Sequence, residues 1–227
     1  MAFEVLTIIG DCIVGAAESG PAQVTAAKRF VQSSLVPEVL RAPASAEISS
    51  TSNAWSAFQA VAAKVAACKP AAAAQLAYIE LLDALLQPLV ELQASGMADG
   101  LAGISTAAHQ LVLKQAELHA KIGNHDLALE LYSLLTAAAD DQNADSDPDA
   151  SVLQGMLGCK LQQQPHDVHA NVALAQRCIE AGAHVCDVQR QLLGCLERHQ
   201  VAAKVSFDCM VICNERCPKP VSVLRMM

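Results

Sequence analysis

Residues 104–138 read ISTAAHQLVLKQAELHAKIGNHDLALELYSLLTAA. Apolar residues recur near the helical period in its first part: Ile104, Ala108, Leu111, Ala116 and Ile122. Gly123 follows the last of them, where helices commonly end because glycine adopts the left-handed conformation at little cost. Asn124 can cap a second helix. We expect its apolar stripe at Leu127, Leu131, Leu134, Leu135 and Ala138. The pattern predicts two helices joined by a tight turn.

The segment GNHDLALELY, residues 123–132, resembles the turn and second helix of a tetratricopeptide repeat. That family places a small residue and, four positions later, an aromatic residue on the second helix. Ala128 and Tyr132 match these positions, and Ala116 matches the small position of the first helix. The chain departs from the family pattern at Gln115, His119, Leu135 and Asp140.

The resemblance covers about one repeat, residues 108–138. It implies an all-α fold of antiparallel helical hairpins, stacked as a tetratricopeptide-repeat-like α-solenoid or right-handed helical array. Any other antiparallel helical hairpin would fit the same pattern.

Composition favours helix throughout, because alanine and leucine dominate and few stretches alternate with period two. The net charge is −8 and no lysine–arginine cluster occurs, which argues against a nucleic-acid partner. No stretch of about 18 uncharged apolar residues is present, so the sequence predicts no membrane span. No basic region precedes an apolar run at the start of the sequence. These features predict a cytoplasmic protein.

We predict one helical domain, 1–227, with possible sub-layers at 1–95 and 97–217 and an extended tail at 218–227. Pro88 could mark the seam between the two layers, and residues 42–53 should form a polar loop before a helix capped by Ser52 or Asn53. The remaining predicted helices are 3–18, 21–34, 70–94, 148–162, 165–181, 184–199 and 201–217. Ser146 or Asp147 should cap the helix that starts at Pro148.

The cysteines allow more than one interpretation. The chain has nine of them, and Cys209, Cys213 and Cys217 are spaced four apart, which places three thiols on one helical face. Thiolates are zinc ligands, so this face is a possible metal or redox site. The absence of a CxxC pair and the odd cysteine count favour buried structural thiols instead.

No nucleophile elbow, phosphate-binding loop or dinucleotide-binding motif occurs, so we predict a non-enzyme without a cofactor. The expected function is a protein–protein interaction scaffold, either a free adaptor or a subunit of a hetero-oligomeric assembly. The alternative is a thiol-based redox or zinc-binding helical protein. The expected partner-binding residues are exposed positions of the first hairpin helix and the apolar tail: Gln110, Lys114, Glu117, Lys121, Val223, Leu224 and Met226.

Overall fold

The computed structural model describes residues 2–37, 48–94, 104–142 and 149–199. Every regular element within these ranges is helical, so the predicted all-α class is confirmed. The stacking of the helices into a solenoid stays a prediction. The chain divides into two compact units, unit 1 (Met1–Ile122) and unit 2 (Gly123–Met227). The predicted division at residues 95–97 also stays a prediction.

Unit 1 contains α1 (Ala2–Ser19), α2 (Pro21–Phe30), α3 (Ile48–Ala67), α4 (Gln75–Ala94) and α5 (Ile104–Lys121). A π-helical turn, Val31–Leu35, continues α2, and a 3-10 turn, Ala72–Ala74, precedes α4. The predicted break at Gly20 and helix start at Pro21 are confirmed. Proline suits this position because the first turn of a helix leaves its amides unpaired in any case.

The helices of unit 1 close around one core. Helix α1 packs against α2 and α3, α2 packs against α4, and α5 packs against both α3 and α4. Helices α1 and α3 approach closely at Gly10, where an added Cβ would lie 2.8 Å from Cγ2 of Val61. Ion pairs Lys64–Asp11 (2.7 Å) and Lys28–Glu80 (2.8 Å) join neighbouring helices at the surface.

Helix α3 begins earlier than predicted. The expected loop at 42–53 is wrong for residues 48–53, which are helical from Ile48 onward; residues 42–47 lie outside the described part. Serine and threonine disfavour helix by less than about 0.7 kcal/mol each. A helix whose later turns pack in the core can therefore extend backward through such a run until glycine or proline stops it.

Helix α4 lies in the core of unit 1, with Tyr78, Leu81, Leu82, Leu85 and Leu89 fully enclosed. It continues through Pro88 to Ala94, within the predicted helix 70–94, and Pro88 as the seam between two layers stays a prediction. Among the described helices, the span Ala72–Glu91 is long and apolar enough to cross a membrane by length and composition. Half of that span is buried inside the unit, as expected for a core helix.

Unit 2 contains α6 (His125–Gln142), α7 (Ala150–Gln163), α8 (Val168–Glu180) and α9 (Val185–His199). Each helix packs against the next one along the chain, and α9 packs against α7 as well as α8. The shared core is apolar and includes two thiols: Leu153, Leu157, Leu161, Leu174, Ala175, Cys178, Val188, Leu192 and Cys195.

Glycines and aspartates set the helix ends of unit 2. Gly123 and Gly182 have φ of 89° and 94°. This confirms Gly123 as the predicted helix stop, and Gly182 likewise follows the predicted helix 165–181. After α8, the amide of Ala183 donates to the Cys178 carbonyl at 2.8 Å, a bond that requires the left-handed residue between them. Helix α7 is capped by Asp149, whose carboxylate accepts from the Ser151 amide, and not by the predicted Ser146 or Asp147, which lie outside the described residues.

Helix α8 starts at Val168 instead of the predicted Pro165. Its cap is Asp167, whose carboxylate accepts from the Ala170 amide at 3.2 Å. An aspartate side chain can accept hydrogen bonds from the free amides of the first helical turn. Proline at 165 has no side-chain acceptor, so a helix that started there would lack this cap. The predicted helix 201–217 and the tail 218–227 lie outside the described residues.

Candidate partner-binding surfaces

The predicted partner-binding row on α5 follows one side of that helix. Gln110 and Lys121 are exposed, as expected. Lys114 and Glu117 are only half-buried, which corrects their prediction as freely exposed. Their side chains pair at 3.6 Å, and 13% of the Lys114 side chain reaches solvent. Lysine can bury its aliphatic stem in this way while the ammonium group stays near a carboxylate.

Lys114 also acts on a buried polar cluster. The Cys68 thiol donates to the Lys64 carbonyl at 3.3 Å, and the Tyr78 hydroxyl donates to the Val65 carbonyl. Burial and the charge of Glu18 raise the pKa of Cys68, against the smaller opposing effects of Tyr78 and Lys114.

Burial also raises the pKa of the Tyr78 hydroxyl well above its usual range. Both groups of this cluster are therefore neutral at ordinary pH, and their contacts serve to join the end of α3 to α4.

Gln115, one of the positions that depart from the tetratricopeptide-repeat pattern, has a structural explanation. It is 3% exposed, and its amide donates to the carboxylate of Asp83 on α4. A buried amide that pairs with a carboxylate is stabilised, whereas an unpaired one would cost about 1–3 kcal/mol. Gln115 therefore fixes the position of α5 against α4 through a directional hydrogen bond, which a leucine side chain could not form.

The described cysteines are mostly buried. Cys68, Cys159, Cys178 and Cys195 are buried, and burial raises the pKa of Cys159 and of Cys178 to about 11. A thiol held neutral in this way is a poor nucleophile and a poor metal ligand. Cys12 alone among the described cysteines is exposed.

The alternative zinc or redox face and the predicted tail surface stay predictions. Cys209, Cys213 and Cys217 lie outside the described residues, as do Val223, Leu224 and Met226 of the predicted tail surface. Within the described ranges, no group of three or more histidine, cysteine, aspartate and glutamate side chains is placed to hold a metal ion.

Helix α6 buries a different side from the one that its leucine stripe predicts. Its buried face is formed by Ala128, Tyr132 and Leu135 and packs toward α7. The predicted stripe is wrong at Leu127 and Leu134, which are 47% and 63% exposed. The family match at Ala128 and Tyr132 was the signal that could have identified the buried side.

The reason lies in helix α7, against which α6 packs. An added Cβ at Gly155 of α7 would overlap Cζ and Oη of the Tyr132 ring and lie 2.8 Å from its Cε1. Only glycine lets the ring lie this close to the α7 backbone. The small and aromatic side of α6 therefore faces α7, and the leucines at 127 and 134 are left outside the unit's core.

The cavity among α7, α8 and α9 is small. It measures about 10 Å³, is lined by Leu161, Pro165, Asn171 and Cys195 among others, and has room for about one water molecule. The Asn171 side chain donates to the Gln164 carbonyl at 2.9 Å, and the Cys195 thiol donates to the Leu161 carbonyl at 3.3 Å. These bonds tie the helices together. A cavity of about 10 Å³ has no space for a metabolite.

Comparison with known proteins adds no further identification: no family model, curated protein or solved structure matches the chain.

Proposed function

We propose that this protein is a non-catalytic interaction scaffold, a subunit or adaptor of a larger hetero-oligomeric assembly in the cytoplasm. The observation that carries the proposal is the leucine side of α6, where Leu127 and Leu134 remain exposed on a helix whose other apolar side is already packed. Exposed apolar side chains aligned at helical spacing are typical of surfaces that bind other proteins.

The same proposal includes a tetratricopeptide-repeat-like stack for the helices of unit 2. Two observations support it. Within unit 2, α9 packs against α7 as well as against its neighbour α8, as expected when successive helical hairpins stack on one another. Ala128 and Tyr132, the positions that match the family, form the buried side of α6.

The neutral state of the buried thiols agrees with a structural role, because catalysis or metal binding would need thiolates. The predicted surface on α5, with Gln110 and Lys121 exposed at its two ends, is a second region available to a partner.

Gel filtration of the tagged full chain from a native lysate tests the proposal. We expect elution in a complex much larger than the 23.8 kDa of the chain. Elution near 23.8 kDa would contradict it. One zinc ion bound per chain in the purified protein would instead support the alternative at Cys209, Cys213 and Cys217.

A further inference from the structure

We propose that the leucine side of α6 binds an amphipathic, basic helix of a partner protein. This inference rests on the proposed scaffold function and names the chemistry of the partner. The surface, here called the α6 face, consists of Leu127, Leu131 and Leu134 with Asp126 and Glu130 beside them. Spacings of four and three residues place the three leucines in one row along the helix.

The α6 face is available for binding. Leu127 and Leu134 are exposed, and Leu131 between them is half-buried. The row lies about 100° around the helix from the buried row of Ala128, Tyr132 and Leu135, because successive residues of an α-helix are rotated by about 100°. A partner can therefore contact the leucines without disturbing the packing of α6 on α7.

Charge identifies the kind of partner. Asp126, Glu130 and Ser133 are exposed along one edge of the leucine row. Asp126 accepts a hydrogen bond from the amide of Gln163, and Glu130 has no ion-pair partner among the described residues. Residues 125–137 contain two carboxylates, Asp126 and Glu130, and no lysine or arginine.

A lysine- or arginine-rich partner complements this field, whereas nucleic acid and anionic membranes would be repelled. A second copy of the chain, with its net charge of −8, would bring like charges together.

The leucine spacing identifies the shape of the partner. Three apolar side chains in one row, at positions i, i+4 and i+7, fit a helix that offers apolar residues with the same spacing. The partner's basic residues would then flank its apolar row on the side that meets Glu130. Apolar contacts should supply most of the affinity, and the charges should mainly set the orientation and the association rate.

A binding experiment with a defined probe tests the α6 face. The probe is a synthetic 18-residue helical peptide with leucine at i, i+4 and i+7 and lysine along one flank, measured by fluorescence anisotropy with the purified full chain. Control peptides carry glutamate in place of lysine, or the same composition with the leucines shuffled. We expect the lysine peptide to bind, more weakly as salt is raised, and the two controls to bind at least tenfold more weakly.

Two protein variants locate the binding site. The double variant Leu127→Ser/Leu134→Ser should weaken binding of the lysine peptide by about tenfold or more, since 1.4 kcal/mol corresponds to a factor of ten. Leu76→Ser is the matched control, because Leu76 is 66% exposed on α4 of unit 1; it should bind like the unchanged chain. Equal binding by the double variant and Leu76→Ser, or tight binding of the shuffled peptide, would overturn the proposal.

A photo-crosslinking amino acid at the exposed Ala137 identifies the natural occupant in cells. Crosslinks to a partner segment with basic residues and apolar residues spaced by three or four would support the proposal. Crosslinks to residues 200–227 of the same chain, to a second copy or to a non-basic segment would overturn it, as would no crosslink.

Gel filtration separates the two levels of inference: a large complex that survives the double variant refutes only the α6 face. Elution of the unchanged chain as a monomer refutes the scaffold function itself.

Discussion

Replacement of Gly155 by alanine should destabilise unit 2, although alanine is normally the better helix residue. The added methyl group would overlap the Tyr132 ring and lie 2.8 Å from its Cε1, where carbon atoms prefer about 3.5–4.0 Å. Overpacking of this kind costs about 1–3 kcal/mol. The intrinsic gain of alanine over glycine in a helix is about 0.5–1 kcal/mol. The expected net loss is therefore between about 0 and 2.5 kcal/mol.

Gly158, one turn later on α7, provides the matched control. A Cβ there would lie 3.9 Å from Nε2 of Gln191, an ordinary contact. Gly158→Ala should therefore stabilise by about 0.5–1 kcal/mol, and the two variants should differ in sign. Urea unfolding followed by circular dichroism measures both. In a Tyr132→Ala background the clash is gone, so Gly155→Ala should become neutral or stabilising. If Gly155→Ala and Gly158→Ala stabilise the chain equally, the close approach of α6 to α7 is not real.

Further substitutions test other parts of the structure. Asp83→Ala should lower the free energy of unfolding in urea by about 1–3 kcal/mol, because it leaves the buried Gln115 amide unpaired. The double variant Asp83→Ala/Gln115→Met should recover most of this loss. Equal losses in the single and the double variant would argue against the bond. Gly182→Ala should cost about 1–2 kcal/mol because φ there is 94°, and an Asn replacement should cost less.

Burial raises the pKa of the Cys178 thiol from 9.0 to about 11. Its contribution to stability is therefore fully present below pH 9.0 and is lost as the pH rises toward 11. Cys178→Ala should reduce this loss of stability at alkaline pH. Iodoacetamide should alkylate Cys12 in the folded chain long before Cys178, as peptide mass analysis would show; similar rates would contradict the burial of Cys178.

The elements that could be predicted are those that local chemistry decides. The helix ends at Gly123 and Gly182 follow from the freedom of glycine at positive φ, and the start at Pro21 follows from the missing amide of proline. The start of α3 at Ile48 could not be predicted, because serine and threonine neither require nor forbid a helix. Core packing decides such a boundary, and a single sequence does not display it.

The candidate site was harder to predict for a related reason. Helix α6 carries apolar residues on two sides, and hydrophobic periodicity alone favours the larger leucines as the buried row. The structure buries Ala128 and Tyr132 instead, because Gly155 on another helix admits the tyrosine ring. That choice depends on a residue 23 positions away from Tyr132 in the chain. No pattern within α6 contains information about Gly155. The spacing of a small and an aromatic residue, as in a tetratricopeptide repeat, nevertheless points to the side of α6 that is buried.

The two sides of α6 also make its roles experimentally separable. Substitutions on exposed surfaces usually change stability by less than about 0.5 kcal/mol, so Leu127→Ser/Leu134→Ser should leave the unfolding curve nearly unchanged. Gly155→Ala should do the reverse, lowering stability while the exposed leucines stay in place. A large loss of stability in the leucine double variant would mean that the row belongs to the core of the fold. Unchanged stability with lost peptide binding would assign the row to a partner.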